Sequence, residues 1–156
     1  MVNEFFAIYQ NYNIKKNLPQ DYYINSLFDA EKELIYLKKL FYDKSGIFWA
    51  ILKHKILIGT IGFNSINFDT KVGEIGLDLQ YEYWGQGIMF SSLVSIINYI
   101  KSIKIIKYID AYIQTDNINS IKLFEKCNFT KKSFLPQYGI RDGILKDFYH
   151  YQLILN

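Results

Sequence analysis

The sequence predicts a mixed α/β fold of α+β character on one sheet, and three observations carry that prediction. Residues 47–53 and 56–63 are β-rich runs that meet at Lys53-His54-Lys55, the spacing of an antiparallel hairpin. Residues 72–80 alternate apolar and polar, run into Tyr83-Trp84-Gly85-Gln86-Gly87-Ile88 and open onto an amphipathic helix, after which residues 107–114 alternate again. Strand, helix and strand in that order make a βαβ unit, whose two strands lie parallel with a right-handed crossover. Residues 129–138 and 145–155 then form a terminal pair joined through Gly139-Ile140-Arg141-Asp142-Gly143. Antiparallel strands, a βαβ unit and a C-terminal β-hairpin in one chain of 156 residues make a single domain over residues 1–156.

Each remaining element follows from local pattern. Residues 1–27 are polar and aromatic with weak periodicity, and short helical pieces are expected there. Residues 29–42 form a helix: Asp29 is its expected cap, and Leu34, Leu37, Leu40 and Phe41 return at helical spacing until Lys44-Ser45-Gly46 ends it. Asn67-Phe68-Asp69-Thr70-Lys71 is a turn before the strand at residues 72–80. There Ile75, Leu77 and Leu79 share one face, and Glu74, Gly76 and Asp78 the other. The helix after the glycine turn spans residues 86–101, with Ile88, Leu93, Ile96, Ile97 and Ile100 as its stripe. Asp116-Asn117 supplies cap chemistry for a short helix over residues 119–126, which stops near Asn128.

Composition narrows the function. Half of the residues are apolar and 18% are aromatic, which excludes a disordered chain. The net charge of +3 suits an anionic cofactor, but no concentrated basic run gives a direct nucleic-acid signal. A lone cysteine, Cys127, cannot form an internal disulfide and agrees with a reducing compartment; without a basic partner in its neighbourhood it reads as packing rather than as a nucleophile. No apolar run is long enough for a transmembrane helix, and Met1-Val2-Asn3-Glu4 does not open a signal peptide, so a cytoplasmic domain is expected. No metal site is expected. An apolar, tyrosine-rich surface favours a homodimer, with a monomer left open.

The glycine turn carries the chemistry. A strand that runs through a glycine-bracketed turn into a helix aims backbone N–H groups and the positive end of a helix dipole at one point, which suits a diphosphate. Gly85-Gln86-Gly87 alone reads equally well as a tight turn; the βαβ context favours the binding reading.

Five segments, in this order and spacing, resemble the GCN5-related N-acetyltransferase (GNAT) superfamily, and within it the ribosomal-protein N-terminal (RimJ/RimL-like) branch. They are Ile58-Gly59-Thr60-Ile61-Gly62-Phe63, Glu74-Ile75-Gly76, Tyr83-Trp84-Gly85-Gln86-Gly87-Ile88, Asn117-Ile118-Asn119-Ser120 and Leu123-Phe124-Glu125-Lys126-Cys127-Asn128-Phe129. The resemblance runs from about Ile47 to the end and implies a GNAT-like fold with acetyl transfer from acetyl-CoA (coenzyme A) to a primary amine. Three departures stand out. The strand that family members place before the first helix is missing, Glu82 replaces the basic or amide residue before the first glycine, and Phe124 replaces a tyrosine acid.

The resemblance also implies site residues. Backbone groups of Leu77, Asp78 and Leu79 pair with the pantetheine amides. Trp84, Gly85, Gln86, Gly87, Ile88, Met89 and Phe90 supply the diphosphate-facing groups. Only a neutral amine attacks, so a base is needed, and Glu74 is the first candidate beside the plainer reading of an exposed strand glutamate. Ser120 is the candidate to protonate the departing thiolate and Asn117 to hold the pantetheine arm, although both also serve a helix start. Phe124 packs against the cofactor or the core, and Tyr138 is a possible substitute acid. His54 and His150 read as surface or packing residues. Asp78 and Glu82 could line an acceptor entrance. The expected acceptor is a protein N-terminal α-amine. The alternatives are a small amine (polyamine, amino sugar or antibiotic) and a non-catalytic acyl-CoA-binding domain.

Overall fold

A computed structural model describes residues 1–156. The chain begins with two short helices, α1 (Val2–Ile8) and α2 (Tyr12–Lys15), and a longer one, α3 (Leu27–Tyr42). A meander of β1 (Ile47–Lys53), β2 (Ile56–Asn67) and β3 (Val72–Leu79) follows, then α4 (Ile88–Ile103) and β4 (Tyr108–Gln114). Helix α5 (Ile118–Lys126) and a hairpin of β5 (Thr130–Arg141) and β6 (Ile144–Ile154) complete one six-stranded sheet, in the order β1-β2-β3-β4-β6-β5. This is the mixed α/β arrangement expected, and no strand precedes α1.

The differences in boundary have local causes. Helix α3 is capped by Ser26 and not by Asp29. The Ser26 hydroxyl accepts from the Asp29 N–H at 3.1 Å, and the Asp29 carboxylate accepts from both Ser26 Oγ and the Asn25 N–H, so the two side chains cap reciprocally. Strand β2 continues four residues past Phe63, because Ser65, Ile66 and Asn67 still pair with β3 beyond a bulge. The terminal turn is only Asp142-Gly143. Both residues take positive φ, so Gly139, Ile140 and Arg141 remain in the strand.

Alternation along the strands sorts the core onto two faces. Leu93, Ile97 and Ile100 of α4 pack on Ile61, Ile75, Ile109 and Ile113, with Phe124 and Phe129 edge-to-face nearby. Phe5 and Ile8 of α1, its C-cap Tyr9, Ile14 of α2 and Ala30 of α3 close a smaller cluster with Leu57. Cys127 lies in the main core, where burial pushes its thiol up and leaves it inert.

One interruption of the sheet positions everything that follows. All neighbouring strands are antiparallel except β3 and β4, which run parallel and pair only at Val72–Tyr108, Gly73–Ile109 and Glu74–Asp110. Past Glu74 and Asp110 the pairing stops, and the strand ends part to leave a wedge in the middle of the sheet.

Candidate active site

Two cavities meet in that wedge. The first, of about 510 Å³, lies on the side of α1 and α3 and is lined by Tyr9, Glu33, Thr60, Glu74, Tyr112, Tyr138 and Arg141 among others. The second, of about 830 Å³, lies over the glycine turn and the first turn of α4. Asn17, Leu77, Asp78, Asn117 and Ser120 line both and therefore mark the passage between them.

The second cavity is built around the start of α4. Gly85 and Gly87 hold φ of +72° and +76°, and nothing stands within 4 Å of where a Cβ would sit on either. The N–H groups of residues 85–90 make no hydrogen bond within the protein, and no side chain caps the helix. A row of free donors at the positive end of a sixteen-residue helix is the electrostatic complement of a diphosphate. The Trp84 indole fixes the turn by donating to the Leu79 carbonyl at 2.7 Å, and Gln86 Nε2 donates to the Glu82 carbonyl at 2.9 Å. The Glu82 carboxylate is engaged by Gln80 Nε2 at 2.8 Å.

Strand geometry separates the three expected backbone contacts. Gln80 donates to the Ile58 carbonyl, so Asp78, in step with Gln80, directs its backbone groups to β2. Leu77 and Leu79 direct theirs into the wedge, where the Leu79 carbonyl is already taken by Trp84. Leu77 and the Leu79 N–H are therefore left facing the wedge, and the backbone of Asp78 is not.

The first cavity is acidic and aromatic. Asp78 Oδ2 accepts from the Tyr9 hydroxyl at 3.0 Å, and the carboxyl stands where the two cavities meet. Burial pushes it up to about 6, with the Tyr9 bond pulling the other way. Tyr9 itself is raised well above its usual value, by burial first and then by the charge of Asp78. Glu33 is raised by burial and by Asp78. Glu74 lines this cavity alone and stands 3.5 Å from Asn64 Nδ2. Tyr112 lies between Tyr138 and His150 in a stacked column, with ring centroids 5.4 and 5.0 Å apart, and His150 Nε2 is 3.0 Å from Asp110. At the far end Arg141 Nε donates to the Asn17 carbonyl, and Gln114 Nε2 donates to the Asn17 side chain, which ties the terminal hairpin and β4 to the N-terminal segment.

Of the residues the sequence singled out, Leu77, Asp78, Leu79, Trp84, Gly85, Gly87, Ile88, Met89, Phe90, Asn117 and Ser120 gather around the second cavity. Gln86 and Phe124 do not; Gln86 folds back on Glu82, and Phe124 is buried with Phe129 and edges the first cavity. Asn117 accepts from the Ser120 N–H at 3.3 Å, so it caps α5 while facing the passage. Asp78 lies in the passage between the two cavities, bonded to Tyr9. Sequence reasoning missed Tyr9 and Glu33. The spacing of Phe5, Ile8 and Tyr9 at i, i+3 and i+4 was the available signal for α1.

A family profile described as an acetyltransferase (GNAT) domain matches residues 2–130. The chain belongs to this family. An uncharacterized N-acetyltransferase of Bacillus licheniformis, p20, is 34% identical over 98 residues, which are 63% of this chain; the chain spans 55% of the length of p20. Among solved structures, the microcin C7 self-immunity acetyltransferase MccE, in complex with acetyl-CoA and AMP, superposes with a TM-score of 0.91 at 22% identity, covering 98% of this chain and 86% of MccE. RimL, the ribosomal L7/L12 alpha-N-protein acetyltransferase in complex with coenzyme A, gives a TM-score of 0.91 at 21% identity with the same coverage. The GNAT fold thus places the wedge between β3 and β4 at the centre of this domain, with the glycine turn on one side and the acidic cavity on the other. No helix of this GNAT domain is long and apolar enough to cross a membrane.

Proposed function

We propose that this GNAT domain transfers an acetyl group from acetyl-CoA to a primary amine, and that the acceptor is a protein N-terminal α-amine. The meeting of the two cavities at Asp78, Asn117 and Ser120 carries the reading, because it brings a diphosphate-complementary helix start and an acidic pocket to one junction. Acetyl-CoA would supply an activated acyl thioester. Residues 85–90 would hold its diphosphate, Leu77 and Leu79 its pantetheine arm, and Asn117 its thiol end. The Ser120 hydroxyl, which lines the passage between the cavities, would protonate the leaving sulfur. Glu33, Glu74 and Asp78 make the acceptor side attractive to an ammonium group.

Amine basicity favours the α-amine. An α-ammonium has a pKa of about 8 and an alkyl ammonium about 10.4, so the former yields its proton to a carboxylate far more cheaply. The likeness in fold to RimL is in keeping with this choice, although it bears on the fold alone. One observation favours a small polycationic amine instead: three carboxylates converge on a cavity of about 510 Å³, more than a single ammonium requires.

Calorimetric titration with acetyl-CoA, with NAD as control, followed by thiol-release assays on peptides beginning with serine or alanine and on spermidine, separates these readings. Micromolar binding of acetyl-CoA with turnover of the peptides is expected. Turnover of spermidine alone would move the acceptor to a small amine. Binding without any transfer would reduce the domain to an acyl-CoA-binding module.

A further inference from the structure

We propose that Asp78 is the general base that takes the proton from the acceptor ammonium, held for that purpose by the Tyr9 hydroxyl. The assignment rests on the acetyltransferase reading above and departs from the expectation that Glu74 fills this role.

Position decides between the two carboxylates. Glu74 stands where β3 and β4 are still paired, and it lines only the acceptor cavity. Asp78 stands four residues further on, past the point of parting, and lines both cavities together with Asn117 and Ser120. An amine that crosses from the acceptor cavity to a thioester beside Ser120 enters the passage that Asp78 lines. A base must also come within hydrogen-bond reach of the proton it removes.

The surroundings of Asp78 suit a base as well. Tyr9 donates to Oδ2, which fixes the carboxylate and leaves Oδ1 available. No lysine, arginine or histidine forms an ion pair with it. The titratable groups that face it are Tyr9 from the C-cap of α1 and Glu33 from α3; Thr60 stands opposite it on β2, and Glu74 lies back along its own strand. Desolvation lifts its affinity for a proton toward that of an α-amine, leaving a gap of about two pK units where an unperturbed aspartate would face about four.

The step balances as follows. The ammonium gives one proton to Asp78 Oδ1, and the freed nitrogen lone pair forms a bond to the acetyl carbonyl carbon. The C–S bond breaks with its electrons on sulfur. The second proton shed by nitrogen reaches the thiolate through the Ser120 hydroxyl, which gives one proton and regains another. The products are the amide and the free thiol, and Asp78 releases its proton to water.

The test is the pH profile of acetyl-CoA thiol release with a serine-initiated peptide, glycinamide and, where neither is turned over, water as nucleophile. Wild type should show an acid limb near pH 6. D78N should lower kcat about a hundredfold or more and lose the limb, while its acetyl-CoA affinity by calorimetry stays within about threefold, since Asn keeps the bond to Tyr9. Y9F should move the limb to higher pH, because the Tyr9 bond stabilises the charged carboxylate. E74Q and E33Q should each retain the limb. Loss of the limb in E74Q or E33Q, or its persistence in D78N, would overturn the assignment and leave the acetyltransferase reading intact. Failure of the wild-type protein to bind acetyl-CoA would overturn both.

Discussion

Replacing Gly87 with alanine separates a cofactor cradle from a mere turn, provided it is compared with Gly143→Ala. Both glycines hold nearly the same backbone, φ +76° and +71°, and neither has an atom within 4 Å of an added Cβ. The methyl group therefore fits in each case, and the cost is the left-handed conformation alone, about 1–2 kcal/mol. For a domain of this size that corresponds to a fall in Tm of roughly 2–8 °C, which should be similar in the two variants. Only Gly87 borders the free N–H groups at the start of α4; Gly143 sits in the hairpin turn between β5 and β6. A methyl at Gly87 would occupy the space through which a diphosphate reaches those donors. Acetyl-CoA affinity should then drop at least about tenfold, or about 1.4 kcal/mol, in G87A and remain unchanged in G143A. Thermal unfolding and calorimetric titration on the two purified variants give both numbers. Equal stability losses with equal, undiminished affinity would refute the argument, and the turn would then be a structural corner.

Three further outcomes follow from the packing and electrostatics. Asp78 has a folded pKa of about 6, raised above the unfolded value, so it stabilises the fold most at low pH and loses that contribution as pH rises through 6. D78N should accordingly be more stable than wild type at pH 7.5 by up to about 3 kcal/mol while being inactive, as urea unfolding at pH 5 and pH 7.5 will check. Leu93 is fully buried between α4 and the sheet, and L93A should cost about 2–5 kcal/mol in urea unfolding. N117A removes the cap of α5 and should cost about 1 kcal/mol; if Asn117 also holds the pantetheine arm, acetyl-CoA affinity will fall with it, whereas a pure cap would leave affinity unchanged.

Much of this molecule was legible because its signals are local. The alternation through Glu74, Gly76 and Asp78 marks one face of β3, and the glycines at 85 and 87 announce backbone that other residues avoid. Asn117 declares a helix start by its own side chain. These are short-range choices of backbone conformation, and the order of elements they define already implies a parallel pair flanking α4. Capping was less legible: Ser26 and Asp29 form one reciprocal unit, and either could be taken for the cap.

What the chain by itself determined is therefore the sequence of elements, the faces of the strands and the glycine-bracketed helix start. Only the tertiary structure decided where β3 and β4 stop pairing, and hence that Asp78 rather than Glu74 stands at the junction of the two cavities. It also decided that Tyr9, 69 residues away in sequence, donates to Asp78. The physical reason is range. A dihedral preference or a cap acts over a few residues, whereas desolvation and hydrogen bonding in a cavity depend on which distant segments fold over it.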